Sequence, residues 1–120
     1  MNYKYGHSTG DGVLTSSARV IAAQLRAMDT LCRYGGEEFV VMLPEASLAM
    51  TQTRAEQLWK GVQGLGVNVR GELLRSVTAS VGVAAFPEHG ESVADLLRAA
   101  DMALYAAKRQ GRDRVVVAEK

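Results

Sequence analysis

Two consecutive glycines between two apolar runs constrain this chain more than any other feature. Arg33-Tyr34-Gly35-Gly36-Glu37-Glu38-Phe39 leads into Phe39-Val40-Val41-Met42-Leu43, a β-branched and apolar run ended by Pro44. Leu31 to Tyr34 makes a strand before it, so Gly35 and Gly36 fall where a tight hairpin needs positive φ and no side chain. Bare backbone at such a tip lets a ligand approach closely. The acids beside it, Glu37 and Glu38, can hold a divalent cation on a phosphate. The same letters also describe an ordinary hairpin with a solvated acidic start, and alone they do not choose.

Composition sets the frame for that hairpin. With 120 residues, 48% hydrophobic and 22% charged, the chain suits one globular domain, residues 1–120. A net charge of +1 gives no electrostatic case for duplex nucleic acid or for direct contact with an anionic membrane. No apolar run approaches the ~20 residues of a membrane span, and the Met1 end has no charged segment followed by an apolar core. The single Cys32 excludes an internal disulfide framework, fits a reducing cytoplasm, and reads as a small buried hydrophobe.

Hydrophobic periodicity alternates helices and strands. Leu14, Ala18, Ile21, Leu25 and Met28 recur at helical spacing and predict an amphipathic helix over 11–28, with Gly10-Asp11 at its positive end. Ser47 caps a second helix carrying Leu48, Ala55, Leu58 and Val62, which Gly61, Gly64 and Gly66 then break. Val77, Ala79, Val81 and Val83 alternate with smaller residues, a strand with one larger apolar face. Ser92 with Asp95 predicts a capped start to a last helix, through Leu96, Ala100, Leu104 and Ala107 to Gly111. Trp59 and Tyr105 read as packing residues, His89 as solvated, and His7 as a turn residue. Arg114 to Ala118 closes as a strand. The expected fold is an α/β (α+β) sandwich with a mixed central sheet flanked by helices.

Three blocks then point to one family. Asn2-Tyr3-Lys4-Tyr5-Gly6-His7-Ser8-Thr9-Gly10-Asp11 resembles N-D-x-x-G-H-x-x-G-D, and residues 35–39 resemble the GGDEF signature in its GGEEF form. The third block is Ala100-Asp101-Met102-Ala103-Leu104-Tyr105-Ala106-Ala107-Lys108-Arg109-Gln110-Gly111-Arg112-Asp113-Arg114-Val115, which resembles A-D-x-A-L-Y-x-A-K-x-x-G-R-N-x-V. In order and spacing they are similar to the GGDEF domain of diguanylate cyclases across nearly the whole chain. The resemblance implies a nucleotide-cyclase, palm-like architecture and a strand ahead of the Asn2 block bearing a metal-binding aspartate. This chain begins after that strand, so it is expected to lack its N-terminal strand, to leave apolar sheet edges bare, and to be a piece of a longer parent.

The resemblance also assigns roles. Glu37 corresponds to a metal-binding catalytic acid for Mg²⁺, with Mn²⁺ an alternative, and Glu38 to its companion, a metal partner or a base. Gly35 and Gly36 admit the phosphates of GTP, and Lys108 and Arg112 correspond to basic residues for the terminal phosphates. Cations late in a helix also complement its dipole, so spacing alone leaves those two open. Asp11 can accept from guanine N1–H and N2–H₂ together, and one such bidentate pair gives ~1–3 kcal/mol of discrimination. Asn2 corresponds to a second guanine contact, although its family neighbour, an aspartate, is Tyr3 here. Arg26-Ala27-Met28-Asp29 matches the R-x-x-D product-inhibition site for cyclic di-GMP, while on a helix it is also a plain i,i+3 ion pair. Trp59 falls near where family members add a second Arg to that site. Arg33 is a product contact if cyclic di-GMP occupies the active site instead.

The function so implied is condensation of two GTP into cyclic di-GMP and two pyrophosphates, Mg²⁺-dependent, product-inhibited, and carried out by a homodimer because each half site holds one GTP. The expected parent adds an N-terminal sensory or dimerising domain. The expected location is cytoplasmic, including the cytoplasmic part of a membrane-anchored parent. Two other classes stay open: a truncated, inactive domain that serves as a cyclic di-GMP receptor or interaction module, and a purely structural dimerisation module.

Overall fold

The computed structural model describes residues 2–6, 18–34, 38–63, 67–69, 72–74 and 79–119. Its strands are β1 (Asn2–Gly6), β2 (Thr30–Arg33), β3 (Glu38–Met42), β4 (Val67–Val69), β5 (Glu72–Leu74), β6 (Ser80–Ala84) and β7 (Arg114–Val117). Its helices are α1 (residues 18–23 of the described chain), α2 (Leu48–Gln63) and α3 (Val93–Arg109). Five strands form one sheet in the order β2-β3-β1-β6-β7, and β4-β5 form a separate two-stranded ribbon. The β1–β3, β1–β6 and β2–β3 pairs are antiparallel, while β6 and β7, joined through α3, run parallel, so the sheet is mixed as expected.

Alternation along the strands builds a core on each side of the sheet. Phe39, Val41 and Leu43 of the β3 segment and Val81 and Val83 of β6 face Ile21 of α1 and Ala55, Leu58 and Val62 of α2. Each of the larger of these side chains, fully buried, contributes roughly 1.5–3 kcal/mol. On the other face Ala84 meets Leu96 and Ala100 of α3. A Cβ on Gly82 would lie 2.2 Å from the Ala100 carbonyl oxygen and 2.4 Å from the Leu104 nitrogen, so glycine there lets α3 lie directly on β6. The strand is buried along its whole length rather than on one larger face, because helices cover both sides.

Several expectations are corrected. The sheet is not left bare at its centre: Asn2–Gly6 fills the place between β3 and β6 and pairs with both. Two rows of unpaired backbone groups would otherwise face each other there, and any segment in reach that pairs with both relieves that cost. The first helix ends at residue 23, not 28, because the Asp29 carboxylate accepts from the Arg26 backbone N–H and draws that segment into a turn. Gly61 does not break α2, which continues to Gln63; a Cβ there would come within 2.6 Å of the Gln24 amide nitrogen, so the glycine serves close packing against α1. The β4–β5 ribbon was not foreseen at all.

The caps agree with the sequence. Ser47 Oγ accepts from Met50 N–H at 3.1 Å and Ser92 Oγ from Asp95 N–H at 3.1 Å, satisfying donors that open α2 and α3. Cys32 is exposed on edge strand β2, contrary to its expected burial. His89 is half-buried rather than solvated: its Nδ1 accepts from Ala85 N–H at 2.8 Å and closes the turn after β6.

Candidate functional site

Strand register gathers several candidate residues at one end of the sheet. Tyr34 N–H donates to the Glu38 carbonyl at 2.6 Å and closes this end of the β2–β3 pair. Glu38 pairs with Gly6, Gly6 with Ser80, and Ser80 with Arg114, the first residue of β7. Arg33 pairs with Phe39 at the same end. Three strand spacings separate Glu38 from Arg114, about 14 Å, which is the scale of a nucleoside triphosphate. Gly35, Gly36, Glu37 and Asp11 lie outside the described residues, as do His7, Gly64 and Gly66.

The far side of that end is formed where α3 turns into β7. Lys108 lies in the last turn of α3, whose C-cap is Gln110. Gly111, Arg112 and Asp113 then take φ of 116°, 65° and 46°, three left-handed residues in succession. Arg112 N–H donates to the Ala107 carbonyl at 2.9 Å, which closes the helix end. The turn leaves Arg112 exposed and Lys108 half-buried beside it. Two cations next to a strand end can neutralise phosphate oxygens.

Trp59 is more than a packing residue. Its Nε1–H donates to Asp113 Oδ1 at 3.1 Å, and Gln63 Nε2 donates to Asp113 Oδ2 at 3.4 Å, so α2 holds this turn. Tyr105, read as packing, is 63% exposed, with the Arg109 guanidinium 5.8 Å from its ring centroid.

Asn2 is not brought to this end. It pairs with Met42 and Ala84, four residues along β1 from Gly6, hence roughly 13 Å from the hairpin turn.

Arg26 and Asp29 stand before β2, at the sheet end opposite the hairpin, where Thr30 pairs with Met42. Arg26 Nε and Nη2 donate to Asp29 Oδ1 at 3.1 and 2.8 Å, and Arg26 Nη2 also reaches the Pro44 carbonyl at 2.9 Å. The pair is made in a turn, not on a helix. The Asp29 side chain has 0% exposure. Burial pushes its carboxyl pKa up, but hydrogen bonds from the Arg26 side chain and backbone, with the charges of Arg26 and Arg54, outweigh that and hold it below the ordinary range. The same bond raises the Arg26 guanidinium.

Sequence reading missed Arg54. From α2 its Nη2 lies 3.5 Å from Asp29 Oδ2 and donates to the Gln24 carbonyl. No local signal marks it, because 25 residues separate it from Asp29. Ala49, Met50, Thr53 and Gln57 join Arg54 around an open hollow of about 330 Å³ beside the ion pair. Trp59, near where the resemblance puts a second Arg in other members, is directed to the α3–β7 turn.

A magnesium ion binds through one or two carboxylates plus substrate phosphates. Glu38, with its neighbour Glu37, matches that donor set in kind. Among the described residues no group of three or more His, Cys, Asp or Glu could hold a metal by itself, and β1 carries no acid. No helix among them is long and apolar enough to cross a membrane.

Comparison with known proteins gives one family over most of the chain. The family model described as "Diguanylate cyclase, GGDEF domain" matches residues 1–114. The chain is 42% identical over 117 residues to the response regulator PleD of Caulobacter vibrioides, covering 97% of this chain and 26% of PleD. It is 39% identical over 119 residues to diguanylate cyclase A of Treponema denticola, covering 99% and 32% respectively. The chain thus spans about a quarter to a third of the length of these relatives. Among solved structures, the GGDEF domain of DgcB from Caulobacter crescentus in complex with c-di-GMP superposes with a TM-score of 0.87 at 31% identity, covering 99% of this chain and 77% of that one. The GGDEF domain of TpbB from Pseudomonas aeruginosa gives 0.86 at 34%, covering 98% and 76%.

Proposed function

Because the chain belongs to the GGDEF family of diguanylate cyclase domains, we propose that it condenses two GTP into cyclic di-GMP and two pyrophosphates. The observation that carries this reading is the register that sets the hairpin flanks, Arg33 and Glu38, on one sheet end with the Lys108–Arg112 turn. In the proposed reaction the 3′-hydroxyl of each GTP attacks the α-phosphate of the other and expels pyrophosphate. Positioning and charge neutralisation do most of the work. Lys108 and Arg112 hold the terminal phosphates, and the Gly35-Gly36 backbone admits them closely. Asp11 selects guanine over adenine through N1–H and N2–H₂. Glu38 takes the hydroxyl proton or supports Glu37. Mg²⁺, or Mn²⁺ in its place, held by Glu37, supplies charge stabilisation on the phosphates when bound. Closing the ring takes two half sites, hence a homodimer.

Product inhibition is assigned to the opposite end. A guanine edge of cyclic di-GMP meets Arg26, and Asp29 is shared between that guanine and Arg26, with Arg54 as the second basic group. Its source in a longer parent would be a cytoplasmic cyclase with an N-terminal sensory or dimerising domain. A second reading, a cyclic di-GMP receptor without turnover, is favoured by one observation: the strand beside Glu38 brings no acid.

Chromatography of products from GTP, and from ATP as control, separates the readings. Cyclic di-GMP from GTP alone, lost in a folded Glu37→Gln variant, is the expected result. Cyclic di-GMP binding with no synthesis by the wild type turns the assignment to the receptor, and undiminished synthesis by Glu37→Gln removes the metal role.

A further inference from the structure

The turn that carries Arg112 is strained in a way its own chain does not support. Arg112 and Asp113 both hold left-handed φ, 65° and 46°, and a Cβ-bearing residue rarely stays there unless its surroundings hold it. On the α3 side, Arg112 N–H is tied to the Ala107 carbonyl. On the β7 side, the Arg112 carbonyl accepts from Arg114 Nε at 3.0 Å. Both ties are local in sequence and fix the backbone only against its own neighbours. A side-chain tie to a distant element is made by the Asp113 carboxylate, which takes the Trp59 indole N–H on one oxygen and the Gln63 amide on the other, across 54 and 50 residues of chain.

We propose that Trp59 and Gln63 are positioning residues that clamp Asp113 and thereby hold Arg112 and Lys108 in register to take the terminal phosphates of the substrate. This rests on the function proposed above, and it assigns α2 a part in substrate binding without a contact to substrate. Trp59 suits the task. Its ring packs against the core shared by α1, α2 and the sheet, so the N–H is aimed by a side chain with little freedom. Asp113 is adjacent to Arg112, so releasing its carboxylate from α2 would let the left-handed backbone of the turn relax and carry the Arg112 side chain with it. The clamp acts on the phosphate end alone, since the guanine-selecting groups lie on other segments.

The clamp therefore predicts a loss that depends on the ligand's phosphates. Affinities of the full chain for GTP and for GMP are measured for wild type, Trp59→Phe, Asp113→Ala and Asp113→Asn, with thermal unfolding to confirm each fold. Trp59→Phe and Asp113→Ala weaken GTP by about tenfold, the scale of one weakened phosphate contact, and leave GMP unchanged. Asp113→Asn, which keeps an acceptor for the indole N–H, stays close to wild type. Equal loss for GTP and GMP, or no loss in Trp59→Phe, overturns the clamp while the proposed function stands. A wild type that binds neither nucleotide overturns both.

Discussion

The carboxylate of Asp29 spends its hydrogen-bonding capacity within the protein. It accepts from the Arg26 backbone and guanidinium and lies against Arg54, with no surface left to water. A guanine that binds there must therefore share or displace a protein partner. The depressed pKa makes this residue a source of acid sensitivity. Its unfolded form, near the ordinary value of 3.8, takes up a proton before the folded form does. The stabilisation is complete above that value and is lost as pH falls through the lower folded one. Thermal unfolding between about pH 2 and pH 7 is expected to show this acid limb flattened in Asp29→Asn. At pH 7 the same substitution should cost about 1–3 kcal/mol by leaving charged donors unmatched. An unchanged acid limb would assign the sensitivity to other carboxylates. At this scale the sequence is a partial guide. The Arg26–Asp29 pair is readable from spacing three apart, but Arg54 is not, because tertiary packing alone brings α2 to that turn.

Elements with a strong period and a cap are the readable part of the fold. Ser47 and Ser92 mark the starts of α2 and α3 within one residue, and Phe39 to Leu43 lies within one residue of β3. Gly82 is a different case. In the sequence it is one of the smaller residues of an alternating strand, and in the fold it is where α3 and β6 touch backbone to backbone. Gly82→Ala is expected to destabilise by about 1–3 kcal/mol or more, because the added methyl meets main chain that cannot rotate away. Urea denaturation measures it, and a neutral result would mean that α3 shifts freely. Ser92→Ala is expected to cost about 1 kcal/mol through the lost cap, by the same assay. The failures also have physical causes. Asn2–Gly6 offers only Tyr3 and Tyr5 in alternation, too short a pattern to show a strand, and it is pairing with both β3 and β6 that gives it its central place. Gly61 looked like a helix breaker because a sequence does not show which neighbouring helix lies against it.

Across the whole molecule, the sheet has two chemically different ends. The hairpin, Glu38 and the Lys108–Arg112 turn stand at one end, and Arg26, Asp29 and Arg54 at the other, about 13 Å apart along β2 and β3. In the function proposed above, this separation would let product inhibit without competing with substrate. A titration resolves the two ends. Cyclic di-GMP is titrated into the full chain alone and then in the presence of saturating non-hydrolysable GTP analogue, for wild type and Arg26→Ala. Separate ends require that the analogue leave the affinity of wild type for cyclic di-GMP undiminished, and that Arg26→Ala abolish product binding while retaining the analogue. Displacement of cyclic di-GMP by the analogue, with Arg26→Ala binding product as tightly as wild type, would place both nucleotides in the hairpin pocket and contradict the two-ended sheet.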